Sequence, residues 1–160
     1  MMTDRKFLTV SDATAECESA AMFAAMRAKA VGAGLVIMRV AQVSGFGHWR
    51  GLDEEMRAEA RDNALYEATQ MAMRVAERVG IQAEVVIREV QAVAAISDVV
   101  DSDEAIKTLV LAAGAEKGGP GPLVSRIGKG KPLAGRPIAI TVIPGNLSDR
   151  QLAEMGGMAS

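Results

Sequence analysis

The 160-residue sequence predicts an α/β fold in which a parallel β-sheet carries helices on both faces. Short apolar or β-branched runs alternate along the chain with longer segments whose apolar residues recur at helical spacing. Several short runs, above all Gly34–Val40, are apolar at successive positions, as is typical of strands that are covered on both faces. No linker or internal repeat interrupts the alternation, so residues 1–160 are predicted to form a single domain.

The first half of the chain predicts two strands and two helices. Lys6–Ser11 is short, β-branched and aromatic, which is typical of a strand. Small and apolar residues then recur at helical spacing over Ala15–Val31, and glycines follow this segment. Gly34–Val40 is the second strand. A long helix is predicted from about Asp53 to Val79, because acidic residues open it, arginines close it, and Gly80 stops it.

The second half predicts three further strands, over Ala83–Val90, Ile106–Ala113 and Pro137–Ile143. A short helix over Ala92–Val100 separates the first two of them. Ser148 and Gln151 have the spacing of a capping box, which predicts a small helix near the C-terminus.

Composition and charge exclude several classes of function. The formal net charge of −2 attracts neither nucleic acid nor an anionic membrane, and aromatic residues make up only 3% of the chain. No apolar run approaches the ~20 residues that a membrane span needs. Cys17 and His48 are each the only residue of their type, so neither an intramolecular disulfide nor a zinc site is expected. The first ten residues do not resemble a signal peptide, and a cytoplasmic location is the simplest interpretation.

A glycine-rich segment, "LVLAAGAEKGGPGPLVSRIGKGKP", leaves the fourth predicted strand and is the main candidate for a phosphate cradle. It lacks the spacing of both the P-loop and the dinucleotide-binding fingerprint. Its glycine amides could still surround an anion, and Pro122 could open a helix that holds Ser125 and Arg126 in its first turns. The alternative is a solvated loop that only joins two strands, and composition alone favours this alternative.

The chain resembles a universal stress protein domain over almost its whole length. The residues that carry the resemblance are "FLTVSDAT", "GLVIMRV", "EVVIREVQAVAAI", "LVLAAGAEKGGPGPLVSRI" and "RPIAITVIPGNLSD". Two segments, "SGFGHWRGLDEEMRAEARD" and "GPGPLVS", resemble the versions found in alphaproteobacteria. The resemblance implies a five-stranded sheet of order 3-2-1-4-5, a dimer and, in many members, bound ATP.

The resemblance also implies where a nucleotide would bind. The family's aspartate after the first strand matches Asp12, its small hydroxyl residue matches Thr14, and its adenine-flanking backbone matches Val40. In the glycine signature of the fourth strand, Ala112 and Ala115 stand in place of the first two glycines. Val124 and Ser125 match the final Gly-Ser or Gly-Thr pair, of which only the hydroxyl survives. The residues expected to bind ATP or another adenine nucleotide are Val10, Asp12, Thr14, Val40, Ala112, Gly114, Gly119, Gly121, Ser125 and Arg126.

Two functions remain open from the sequence. The first is a stress-response protein that binds an adenine nucleotide or phosphate in the crevice between strands 1 and 4. The second is a dimeric interaction module of the same fold that binds no nucleotide. Both share a homodimer paired through Pro137–Ile143, an apolar strand that would lie at the sheet edge without any charge. No carboxylate pair or base–nucleophile pair is readable, so an enzyme is not expected. Phe46 and Trp49 could cover the crevice or only anchor their own loop.

Overall fold

The computed structural model describes residues 5–12, 14–41, 54–114 and 121–157. Five parallel strands form one sheet of order β3-β2-β1-β4-β5, which confirms the predicted topology. The strands are β1 (Lys6–Ser11), β2 (Gly34–Val40), β3 (Ala83–Arg88), β4 (Ile106–Ala113) and β5 (Ala139–Pro144). The helices are α1 (Ala15–Val31), α2 (Glu54–Val79), α3 (Ala92–Ser102), α4 (Pro122–Gly128) and α5 (Asp149–Gly156). Gly119 and the predicted loop with Phe46 and Trp49 lie outside the described residues.

Each face of the sheet packs against its own set of helices. Successive side chains of a strand point to opposite faces, so the apolar strands supply both cores at once. Leu35, Ile37 and Val110 pack with the small residues of α1 and with Met71 and Val75 of α2. On the opposite face, other strand residues pack with α3, α4 and the segment that follows α4; among them are Leu8, Val36, Met38, Leu109 and Leu111.

The two edge strands differ from the prediction, β3 at its end and β5 at both ends. β3 ends at Arg88 rather than Val90, because its pairing with β2 stops at Val40 opposite Arg88. β5 runs over Ala139–Pro144 rather than Pro137–Ile143, because its pairing with β4 starts only at Ala139. Proline has no N–H group for a ladder, which agrees with the exclusion of Pro137 from the paired residues.

The ends of the helices follow from local hydrogen bonds. Helix α3 extends to Ser102, two residues beyond the predicted end, and the Ser102 hydroxyl donates to the carbonyl of Val99 at 3.0 Å. Helix α5 begins with the predicted capping box, in which the Gln151 amide N–H donates to Ser148 Oγ and the Ser148 amide N–H donates to Gln151 Oε1. Among the described helices, none is long and apolar enough to cross a membrane.

Candidate functional site

A cavity of about 280 Å³ opens at the carboxyl ends of β1, β2 and β4. Parallel sheets bind ligands at this edge, where neighbouring connections leave to opposite faces. Here the chain leaves β1 for α1 on one face and leaves β4 for α4 on the other face. The cavity therefore lies at the point where the strand order reverses, as the sequence predicts for strands 1 and 4.

The cavity has two sides of different chemistry. On the side of α1, the lining includes the polar or polarizable groups of Ser11, Glu16, Cys17 and Arg39, next to the apolar residues Ala20, Val110 and Ala112. On the side of α3 and α4, the lining is apolar and consists of Val10, Val40, Ala92, Leu111, Leu123 and Val124. This division follows from strand alternation, because neighbouring residues such as Arg39 and Val40 point to opposite faces.

Asp12 organises the turn between β1 and α1. Its Oδ1 atom accepts a hydrogen bond from the Thr14 amide N–H at 2.8 Å and another from the Thr14 hydroxyl. Thr14 is the N-cap residue of α1 in an extended conformation, but its hydroxyl bonds Asp12 instead of capping the helix. An aspartate that bonds the backbone two residues later forms an Asx turn, which fixes the position of its carboxylate. Asp12 is exposed and lines the cavity.

Cys17 faces the cavity from α1 but has the properties of a core thiol. Its Sγ–H donates to the carbonyl of Asp12 at 3.1 Å, and the residue is buried. Burial raises the pKa of the Cys17 thiol to about 11. The thiol therefore stays protonated at neutral pH, and a protonated thiol is a poor nucleophile. Cys17 therefore belongs to the core and also contributes to the cavity wall.

Arg39 is the functional candidate that the sequence analysis missed. It lines the cavity near the end of β2, and only 15% of its side chain is exposed. Its Nη1 donates to Ser11 Oγ at 3.2 Å, and its Nη2 pairs with the Glu67 carboxylate of α2. The available signal was the single charge within the apolar run "GLVIMRV", directly before the predicted contact Val40.

The structure brings together six of the ten residues that the sequence proposes. These are Val10, Asp12, Thr14, Val40, Ala112 and Gly121. Gly121 has φ of 102°, a conformation that favours glycine, and it precedes the first turn of α4. Among the described cavity residues, Ala112 and Val124 supply side chains where the family signature has glycines.

Three predicted phosphate contacts lie outside this cavity wall, and a fourth, Gly119, lies outside the described residues. Gly114, Ser125 and Arg126 do not line the cavity. Arg126 Nε donates to the carbonyl of Pro132 at 3.0 Å, so this side chain closes the turn after α4. The Ser125 amide donates to the Gly121 carbonyl at 2.9 Å within the helix. Their assignment to a bound phosphate stays a prediction.

Comparison with known proteins matches the chain to a family and to solved structures. The model of the universal stress protein family matches residues 4–124. UspA from Lactobacillus plantarum is 19% identical, with a TM-score of 0.63 over 89% of this chain and 99% of that chain. A universal stress protein in complex with cAMP is 14% identical, with a TM-score of 0.61 over 89% and 98% of the two chains. The Archaeoglobus fulgidus protein in complex with dAMP is 19% identical, with a TM-score of 0.54 over 87% and 98%.

No curated protein sequence matches the chain. The solved structures match the chain along most of its length at low sequence identity, so they support the fold alone. The family match covers most of the chain, including β1 to β4 and the first residues of α4. On these grounds the chain belongs to the universal stress protein family.

Proposed function

We propose that this chain is a stress-response protein that binds an adenine nucleotide in the cavity between β1 and β4. The observation that carries the proposal is the cavity at the switch point of the sheet, lined by Asp12 and Thr14 after β1, Val40 of β2 and Ala112 of β4. These are the positions that the family resemblance assigns to the nucleotide. Solved members of the family in complex with cAMP and dAMP support an adenine nucleotide as the ligand class.

The chemistry of the two cavity sides suits a nucleotide. An adenine ring needs flat apolar contact, which Val10, Val40 and Leu111 provide on the side of α3 and α4. The Asp12 carboxylate is held at the cavity rim by its turn, and both described bonds use Oδ1. A carboxylate has two oxygens with about four lone-pair sites, so Asp12 can accept a further bond from a ribose hydroxyl or an adenine amino group.

Binding without catalysis is the second part of the proposal. Cys17 is protonated at neutral pH, because burial raises the pKa of its thiol to about 11. The Thr14 hydroxyl donates a hydrogen bond to Asp12, so its O–H group is directed at the carboxylate rather than at a ligand. We therefore expect the nucleotide to act as a bound signal or stabilising ligand, whose binding favours the folded state.

The first experiment identifies the ligand. Small molecules released from the purified, denatured protein are analysed by mass spectrometry, and titration calorimetry then measures adenosine 5′-monophosphate (AMP) binding. Asp12→Asn keeps an oxygen that can accept from the Thr14 amide but loses the charge, and we expect about tenfold weaker binding, equal to about 1.4 kcal/mol. Asp62→Asn, at an exposed position on α2, is the matched control and should bind as the unaltered chain does.

One outcome would replace the proposal with the alternative function. If no adenine compound is released and none binds at millimolar concentration, the chain is a dimeric interaction module that binds no nucleotide. The apolar replacements at Ala112 and Val124, which reduce backbone access in the family's phosphate loop, favour that alternative.

A further inference from the structure

We infer that the free edge of β3, together with the groove between β3 and α2, is a docking surface for an extended, cationic peptide segment of a protein partner. The segment would add to the sheet as a further strand and direct alternate side chains into the groove. The surface lies at the opposite edge of the sheet from β5 and shares no residue with the described lining of the cavity. The inference is therefore independent of nucleotide binding.

The backbone of β3 offers hydrogen-bonding groups on its outer side. β3 is an edge strand and pairs with β2 alone among the described strands. The Ala41 amide N–H donates to the Arg88 carbonyl at 2.8 Å, so the backbone groups of Arg88 point towards β2. Backbone groups of successive strand residues alternate in direction, and those of Ala83, Val85 and Ile87 therefore point outwards. An added strand would pair with these outward groups.

A groove runs between this strand and α2. It has a volume of about 620 Å³, and its lining includes Ala83 and Val85 of β3 and Thr69, Met73 and Ala76 of α2. Met73 is 58% exposed, and every residue of β3 is at least partly exposed. Methionine side chains are flexible and are enriched at interfaces. The groove can therefore receive alternate apolar side chains of an added strand, while the backbone of β3 binds its main chain.

The charge of this surface favours a cationic peptide over a second copy of the chain. Glu77 is exposed, is the charged residue of the described groove wall, and forms no ion pair with another described residue. Asp62 is also exposed and lies on the same face of α2. Arg74 and Arg78 pair instead with carboxylates of α1 and α5. A symmetric pairing of β3 with a second copy would bring the acidic faces of two α2 helices together, whereas a lysine or arginine of a peptide would meet an opposite charge.

A fluorescent probe peptide, acetyl-Thr-Lys-Thr-Val-Thr-Val-Thr-Lys-Thr-amide, tests the chemistry of the partner. Its valines and lysines share one face of a strand, and its sequence is the same in both directions, so either orientation presents valines to the groove and a lysine to Glu77. Fluorescence anisotropy measures its affinity for the protein. We expect saturable binding below millimolar concentration, and about tenfold weaker binding of a peptide with glutamates in place of the lysines.

Two N-methylated versions of the probe test strand addition itself. One is methylated on the amides of its internal threonines, and the other on the amides of its valines and lysines. Only one of these two sets of amides faces β3 when the peptide is paired as a strand. We expect one version to bind at least about tenfold more weakly than the probe and the other to keep its affinity.

Substitutions in the groove test its location. Met73→Asp places a charge among the apolar contacts and should weaken binding of the probe about tenfold. Glu77→Lys should reverse the preference, so that the glutamate peptide binds more tightly than the lysine peptide. Met155→Asp on α5 and Glu104→Lys, both at exposed positions, are the matched controls and should bind the probe as the unaltered chain does. Thermal unfolding checks that each variant is folded, and Glu77→Lys supplies the result if Met73→Asp does not fold.

Amide NMR signals locate the bound probe, and we expect the largest changes at Ala83, Val85 and Ile87. The inference is overturned if the probe shows no saturable binding at millimolar concentration, if the two methylated versions bind equally, or if the signals change at β5 instead of β3. If the unaltered chain forms a dimer that Met73→Asp converts to a monomer, the occupant is a second copy and the peptide proposal is wrong.

Discussion

Gly145 lies so close to Ala113 that a Cβ atom on Gly145 would come within 2.3 Å of the Ala113 carbonyl oxygen. The same Cβ atom would lie 2.7 Å from the Cβ atom of Glu16. Gly145 directly follows β5, Ala113 ends β4, and Glu16 lies in the first turn of α1. This contact therefore fixes the end of β4 against the helix that forms one side of the cavity.

Gly145→Ala should destabilise the protein because backbone and helix must move apart to admit one methyl group. We expect a loss of about 1–3 kcal/mol, as for other overpacked sites. Gly128→Ala is the matched control, since a Cβ atom at Gly128 meets no atom within 4 Å, and its effect should stay within about 1 kcal/mol. Urea unfolding measures both variants, and equal stability of the two would contradict the close contact.

Arg136 should be important for stability although it does not line the cavity. Its Nη2 donates to the carbonyls of Val100, Asp103 and Ile106 at 2.8–2.9 Å, and so joins the end of α3 to the start of β4. Arg136→Met leaves partly buried carbonyls without this donor, and we expect a loss of about 2–4 kcal/mol in urea unfolding. Arg150→Met, at an exposed site on α5, is the control. If Arg136→Met lowers the free energy of unfolding no more than this control does, water replaces the guanidinium without cost.

Lys6 should make stability depend on pH in the acid range. Its Nζ is 2.8 Å from Asp103 Oδ2 and 2.6 Å from Glu84 Oε1. The bond from Lys6 holds the pKa of Asp103 below its ordinary value of 3.8. Because the folded-state pKa is lower than the unfolded one, this stabilisation is present above about pH 4 and is lost as the pH falls through the folded-state pKa.

Lys6→Met is therefore expected to lower the free energy of unfolding by about 0.5–1 kcal/mol at pH 7. The difference from the unaltered chain should shrink as the pH falls below about 4 and through the folded-state pKa of Asp103, because the carboxyl group then becomes protonated in both folded proteins. Lys107→Met, at an exposed position in β4, should show no such dependence. Urea unfolding across this range checks the prediction, and a constant difference at every pH would refute the assignment to Asp103.

The homodimer remains a prediction, and it rests on the exposed edge of β5. β5 lies at one edge of the sheet, and Val142 remains 40% exposed although it lies within an apolar strand. Val142→Lys should produce a monomer, because pairing β5 with a second copy would bury a charge without a partner. Val90→Lys, another exposed valine, is the matched control. Sedimentation at micromolar concentration measures the effect, and an unaltered chain that sediments as a monomer would exclude the dimer.

The inner strands could be predicted to the residue, whereas the edge strands could not. The predicted and observed bounds agree for β1, β2 and β4, because each of these strands is paired on both sides and its apolar run spans the pairing. β3 and β5 each pair on one side only, so their ends depend on where the neighbouring strand stops. The sequence of an edge strand does not contain that information, and Val90 and Pro137 were therefore included wrongly.

The residues of the candidate site that lie at the ends of strands could be predicted from the sequence. Asp12 and Val40 could be placed because carboxyl ends of adjacent parallel strands share one edge of the sheet. Arg39 could not be placed in the cavity wall from the sequence. Its side-chain position depends on the strand register that sets it beside Ser11 and on its contact with Glu67 of helix α2. Arg126 was chosen for its charge and for its place near the start of a predicted helix, but its side chain bonds the Pro132 carbonyl instead.

The central claim is that an adenine ligand binds between β1 and β4, and a crystal structure of the protein grown with AMP tests it most directly. We expect density for the adenine ring against Val10 and Val40 and for the ribose within hydrogen-bonding distance of Asp12. Density for AMP elsewhere on the protein, or an empty cavity at an AMP concentration that saturates calorimetric binding, would contradict the claim.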